Sequence, residues 1–297
     1  MIFRRFLRYI FCFIIPGITA LSCEKFKGDQ TIPAYLRIDS IYLTTDYATQ
    51  GTASHHITDA WVYVDDELIG AFELPAKFPV LKTGKHKVKV WPGIKKNGIA
   101  ATRISYDYYS PIQADMTLTP DSTAVPANTT VKGRLKTTYQ SYTLFIWKED
   151  FENVSQTLDT TKRSTANIQD TPVGSALTFE GNHSGMVVLD SLHNAFECQT
   201  HSEYPIPDSP VYLEMNFNTS FFLTVGVVTY GTTILYQTPV ITLVPTNGAW
   251  KKIYIDLTST LNAYSGMSTY RVYLGTTNFQ ERTKDTIRFD NFKIVNR

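Results

Sequence analysis

The sequence predicts an all-β chain. Three observations lead there. Short segments alternate apolar and polar residues between turn residues, as in Trp61-Val-Tyr-Val64 and Lys85-His-Lys-Val-Lys-Val90; period two marks a half-buried strand. Tyr and Phe number 18 and 17 in 297 residues, and Thr and Val are plentiful; such side chains suit a pleated surface. No long segment carries a clean helical period. Charged residues at 19% and hydrophobic ones at 43% fit a packed chain and exclude long disorder. A net charge of +1 offers no basic footprint for nucleic acid.

The chain begins with Arg4, Arg5 and Arg8, followed by an apolar run from Tyr9 to Leu21. The run is too short to span a bilayer comfortably, which takes about 20 residues, and it reads as a processing signal over 1–22. It ends in Thr19-Ala20-Leu21-Ser22-Cys23. Small or apolar residues directly before a Cys resemble the bacterial lipobox, with Ala20 where Leu is commonest. The resemblance implies cleavage before Cys23, lipidation of Cys23 and residence at the outer membrane, facing either the periplasm or the outside. One acyl chain anchors only reversibly; the three that such lipoproteins carry would hold firmly. Residues 23–30 then form a short polar tether. Cys12 leaves with the signal and Cys23 takes lipid, so Cys198 is left alone, without a disulfide framework, and is expected as a buried small hydrophobe.

Residues 31–120 form the first predicted sandwich. Ala34 to Thr45 alternates as a strand pair with Leu36, Ile38, Ile41 and Leu43 on one side. Trp61-Val-Tyr-Val64 runs into a polar turn at Asp65-Asp66-Glu67, a second strand carries Gly70, and a third turns at Lys82-Thr83-Gly84. Gln113 to Leu118 closes the set. The series Val62, Val64, Asp65, Gly70, Pro75, Pro79, Leu81, Gly84, His86, Val88 and Val90 resembles PEGA-type and related immunoglobulin-like modules of bacterial envelope proteins. That resemblance implies a spacer or docking sandwich and no catalysis. Residues 121–130, with Pro126 and small polar neighbours, read as an extended linker.

Residues 131–297 form the second predicted sandwich. In order they carry Asp150-Phe151-Glu152, His183-Ser184-Gly185, Trp250 with Asp256-Leu257, and Phe289-Asp290-Asn291. This order resembles the jelly rolls of carbohydrate-binding and galactose-binding-like modules. The first and last strands of such modules are neighbours, and their acidic residues often hold a structural calcium; the resemblance thus makes Asp150, Glu152 and Asp290 candidate ligands. Calcium takes six to eight oxygens, of which these could supply three; the alternative is that Asp290 and Asn291 bond a turn while Asp150 and Glu152 face solvent.

Sugar recognition by a sandwich needs exposed aromatic faces and a few polar groups. The candidates are Tyr230, Tyr236, Trp250 and Tyr264, with Tyr106, Tyr108 and Tyr109 in the first body. An aromatic on a strand is more often core. His193, Glu197 and His201 share a strand face but would stand too far apart for one ion, at about 13 Å per four residues. His55-His56 lies in a loop without evident partners, which favours exposure. No nucleophile elbow, phosphate loop or triad appears with its context. Glu197 and Glu214 are conceivable as a carboxylate couple, but nothing in the sequence pairs them.

These readings converge on a lipid-anchored envelope protein that binds and does not catalyse, with a glycan as first ligand class and calcium as its one conceivable cofactor. The alternative is a structural or accessory subunit of an outer-membrane or secretion assembly with protein partners. A glycan-cleaving enzyme is the third reading.

Overall fold

The computed structural model describes residues 31–129, 131–278 and 284–297. The signal, Cys23 and the tether lie outside the described residues.

The first body opens with β1 (Ala34–Ile38) and β2 (Ser40–Leu43), then a single turn of helix, α1 (Tyr47–Gln50). Next come β3 (Asp59–Val64), β4 (Glu67–Glu73), β5 (Ala76–Val80), β6 (Gly84–Lys95), β7 (Arg103–Ser105), β8 (Ile112–Leu118), β9 (Thr123–Ala124) and β10 (Arg134–Thr137). An antiparallel sheet in the order β4-β3-β6, with β7 and β8 both along the far edge of β6, faces the sheets β5-β1-β9 and β10-β2. The alternation read from the sequence sets the layers. Val62, Val64, Val88 and Val90 point inward at 0–1% exposure, together with Leu36, Ile38 and Phe78. Asp65 and Asp66 have φ of 51° and 62°, the left-handed pair that a two-residue type I′ hairpin requires. The Asp65 carboxylate also meets His86 Nδ1 at 2.6 Å and accepts from Lys87 N at 3.0 Å, which ties one hairpin to the next.

The second body contains β11 (Leu144–Glu149), β12 (Leu158–Thr160), β13 (Gln169–Asp170), β14 (Gly185–Leu189), β15 (Ala195–Thr200) and β16 (Tyr204–Pro205). It continues with β17 (Tyr212–Thr219), β18 (Leu223–Gly231), β19 (Leu235–Leu243), β20 (Lys251–Asp256), the short helix α2 (Thr258–Leu261), β21 (Met267–Thr277) and β22 (Asp285–Asn296). Two six-stranded sheets form. One runs β13-β14-β22-β17-β20, with β11 also on β22. The other runs β12-β15-β21-β18-β19, with β16 also on β21. The ladders within both sheets are antiparallel. Their facing sides bury Leu213, Met215, Val225, Val227, Val272 and Phe289 among others. Gly185 is required there, because a Cβ would lie 2.5–2.6 Å from Phe289 and Phe151. Cys198 is buried and free, as a small apolar side chain.

The stretch 121–130 is not an open joint. Thr123 and Ala124 pair in parallel with Tyr35 and Leu36, and β10 pairs in parallel with β2 from Arg134↔Ser40 to Thr137↔Leu43. The first body therefore extends past residue 131, with Leu135 fully buried in its core. The physical reason is edge satisfaction: β1 and β2 would otherwise leave backbone groups unpaired, and the Pro-bearing segment supplies partners in two short pieces.

Between the bodies lies a third core, in which Leu43, Ile94, Tyr106, Tyr108, Tyr109 and Tyr139 meet Tyr212 and Tyr254. The rings pack edge to face, with Tyr106 centred 4.8 Å from Tyr109 and 5.1 Å from Tyr254. Tyr106, Tyr108 and Tyr109 are at most 1% exposed. They are glue between the two bodies and cannot serve as sugar faces.

Candidate functional site

A cleft of about 600 Å³ opens beside this junction. Its wall comes from the edges of the second body's two sheets, Ile241–Val244 at the end of β19 and Lys251–Tyr254 on β20. Trp250, just before β20, and Phe179, in the loop before β14, make an aromatic corner with ring centroids 5.3 Å apart and planes inclined by 54°. Phe179 is held by its backbone N–H, which donates to Ser184 Oγ at 2.9 Å. Both rings are partly exposed.

The first body supplies the opposite wall, through residues 54–56 and the turn after β6. These segments are pinned. Ser54 Oγ donates to Asn216 Oδ1 at 2.7 Å, and His56 N donates to the Tyr254 hydroxyl at 2.9 Å. Asn97 N donates to Tyr254 O at 2.8 Å, and Asn97 Oδ1 accepts from Asp256 N at 2.8 Å. Gly98, at φ 67°, closes that turn against Ile253, where a side chain would be both strained and crowded. Lys96 and Asp256 add an ion pair at 3.2 Å. The polar groups facing the cleft therefore have fixed positions.

Burial lowers the pKa of His55, so its ring is neutral near pH 7. His55 Nδ1 lies 2.9 Å from the Ala53 carbonyl; a carbonyl only accepts, so Nδ1 carries the proton and Nε2 is free to accept. Among the described residues, no acidic side chain lines the cleft. The cleft thus offers aromatic faces, amides, a neutral imidazole and lysines. That set binds a polar molecule with an apolar face, and it lacks the carboxylate couple that glycosidic cleavage uses. Glu197 lies on β15 and Glu214 on β17, in different sheets. Glu214 is sealed at the body junction, where it accepts from the Tyr106 and Tyr139 hydroxyls at 2.9 and 2.8 Å.

The four aromatic residues singled out from the sequence do not meet at one place. Trp250 lines the cleft. Tyr236 and Tyr264 stack on each other, 4.0 Å apart and 13° from parallel, which uses one face of each ring. Tyr230 stands on β18 with the Arg271 guanidinium 5.9 Å from its ring. The sequence missed Phe179, Asn97 and Asn216, and it read His55-His56 as a free loop. The partners of that loop are more than 150 residues away in the chain, so no local pattern reports them.

Asp150, Glu152 and Asp290 come near one another, but each has a protein partner. Asp150 Oδ2 accepts from the Tyr47 hydroxyl at 2.6 Å. Glu152 holds the turn before β14, accepting from Asn182 N, Asn182 Nδ2 and His183 N at 2.7–3.0 Å. Asp290, 1% exposed, accepts from Ser184 Oγ at 2.6 Å, and burial raises its pKa to about 7. Among the described residues no group of three or more His, Cys, Asp or Glu side chains is placed to hold a metal ion. His193, Glu197 and His201 likewise form no such group.

No protein-family model matches the chain, and no curated protein matches it. Among solved structures, the chain is similar to the CBM22-2 xylan-binding domain of a Paenibacillus barcinonensis protein, at 17% identity and TM-score 0.36, over 51% of this chain and 99% of that one. A carbohydrate-binding module of the β-sandwich superfamily, described as promiscuous in specificity, aligns at 11% identity and TM-score 0.38, over 90% of this chain and 99% of that one. A third, TmCBM61 in complex with β-1,4-galactotriose, aligns at 13% identity and TM-score 0.31, over 47% and 87%. At these scores the functional reading is left to the chain's own geometry.

Proposed function

We propose that this is a non-catalytic, lipid-anchored protein of the bacterial outer membrane that holds a glycan in the cleft between its two bodies. The observation that carries this is the Trp250–Phe179 corner, partly open, in a cleft whose polar groups are fixed and uncharged or basic. Sugar rings present C–H faces to aromatic rings, while hydroxyls take directed hydrogen bonds. Asn97, Asn216 and His55 Nε2 stand where such bonds can form. The chain fixes both walls before any ligand arrives, so little ordering opposes binding.

The test is a glycan array probed with soluble residues 31–297. Specific binding is expected, and Trp250→Ala is expected to weaken it about tenfold or more without changing the unfolding midpoint. A folded protein that binds no glycan rejects the reading. The anchor rests on the Arg-rich start, the apolar run and Cys23. Labelling of cells with a radioactive fatty acid is expected to mark the protein, and label retained by Cys23→Ala would remove the anchor from the proposal.

A further inference from the structure

A second aromatic site stands on the outer face of the first body. On the antiparallel pair β3 and β6, Trp61 is directly opposite Trp91, and Tyr63 is opposite Lys89. The residues between them, Val62, Val64, Val88 and Val90, point into the core, so these positions face outward by the strand period. Trp61, Tyr63 and Trp91 are all partly exposed. Of the chain's four Trp residues, these two stand on one open sheet face, whereas Trp147 is 6% exposed. The ring of Trp61 lies against Gly93, where a Cβ would be 3.1 Å from its Cδ1. Tyr63 and Trp91 then border a pocket of about 310 Å³, closed by Asp66, Lys89, Ser105 and Asp107.

Three properties of this pocket select its occupant. The rim charges are internally matched: Lys89 Nζ meets Asp66 Oδ1 at 2.6 Å, and Arg297 Nη2 meets Asp107 Oδ2 at 3.1 Å. An ionic ligand gains little from a rim already neutralised. The pocket sits on the face of a sheet, and β6 is paired on both sides, with β3 and with β7 and β8. β6 itself therefore has no free backbone edge, so a peptide cannot add to it as a strand. The volume is at the low end of the range for small-molecule pockets, roughly 300–1,000 Å³. Aromatic faces, compensated polar groups and the Ser105 hydroxyl together fit a neutral polyol with an apolar ring face.

We propose that Tyr63, Trp91 and Ser105 form a second saccharide-binding site, separate from the cleft and independent of its occupancy. Two sites on one rigidly joined chain would raise its avidity for a polymeric glycan presenting many repeats.

The four indole N–H signals of the 15N-labelled protein, assigned with single Trp→Phe variants, provide the test. Xylotetraose, cellotetraose, mannotetraose and galactotriose are added in turn at millimolar concentration. A saturable shift of the Trp91 signal is expected with at least one of them. It should persist in Trp250→Ala and weaken about tenfold in Tyr63→Ala, with spectral dispersion showing both variants folded. If only the Trp250 signal moves, this site is overturned and the cleft reading stands. If neither moves, both fall. A Trp91 shift that vanishes in Trp250→Ala also overturns the proposal, because it would report the cleft alone.

Discussion

Glu214 shows how a single side chain changes meaning between sequence and structure. It is 0% exposed, accepts two tyrosine hydroxyls, and has Lys252 Nζ at 3.5 Å, itself in a side chain 3% exposed. Burial lowers the pKa of Lys252, and the Glu214 charge beside it opposes that effect. Removing the carboxylate would leave a buried ammonium without its counter-charge and two hydroxyls without an acceptor. Glu214→Ala is therefore expected to destabilise the chain by about 3–5 kcal/mol, read from urea unfolding; a loss under about 1 kcal/mol, as for an exposed pair, would contradict the junction described here. Other contacts had no counterpart among the expectations drawn from the sequence. The Asp65 and His86 positions of the first motif meet in the structure, as do Ser184 and Asp290 of the second.

At the scale of elements, strand alternation placed β3 and β6 with their inward valines and β8 with inward Ile112 and Leu118, and the polar turn at Asp65-Asp66 became a two-residue hairpin. One source of failure is burial on both faces. β17 is buried at all eight positions, one side by its own sandwich and the other by the first body. Period two cannot appear in a strand covered on both faces. The same covering turned Tyr106, Tyr108 and Tyr109 from apparent sugar platforms into core. β9 and β10 failed differently: two to four residues beside prolines are too few to show a period, and only the vacant edges of β1 and β2 identify them as strands. Phe179, half of the aromatic corner, comes from a loop with no pattern at all.

For the whole molecule, these contacts join the two sandwiches across a buried junction. The β2–β10 ladder, the tyrosine cluster, the Glu214 site and the Asn97–Tyr254 and Lys96–Asp256 links all hold the chain together across or near the junction. Scanning calorimetry of residues 31–297 is expected to show one transition, with equal calorimetric and van't Hoff enthalpies; two resolved transitions would mean that the bodies unfold separately. The sequence by itself determined the all-β class and two bodies with most of their strands, because alternation, turn residues and β-branched composition are local properties. It also carried the lipobox resemblance, which is a linear signal. Only the tertiary structure decided where the first body ends, which aromatics are core, and that a cleft joins Trp250 and Phe179 to residues 54–56 and 95–98. Those outcomes depend on which surfaces of two separate sandwiches are buried against each other, and that pairing is non-local.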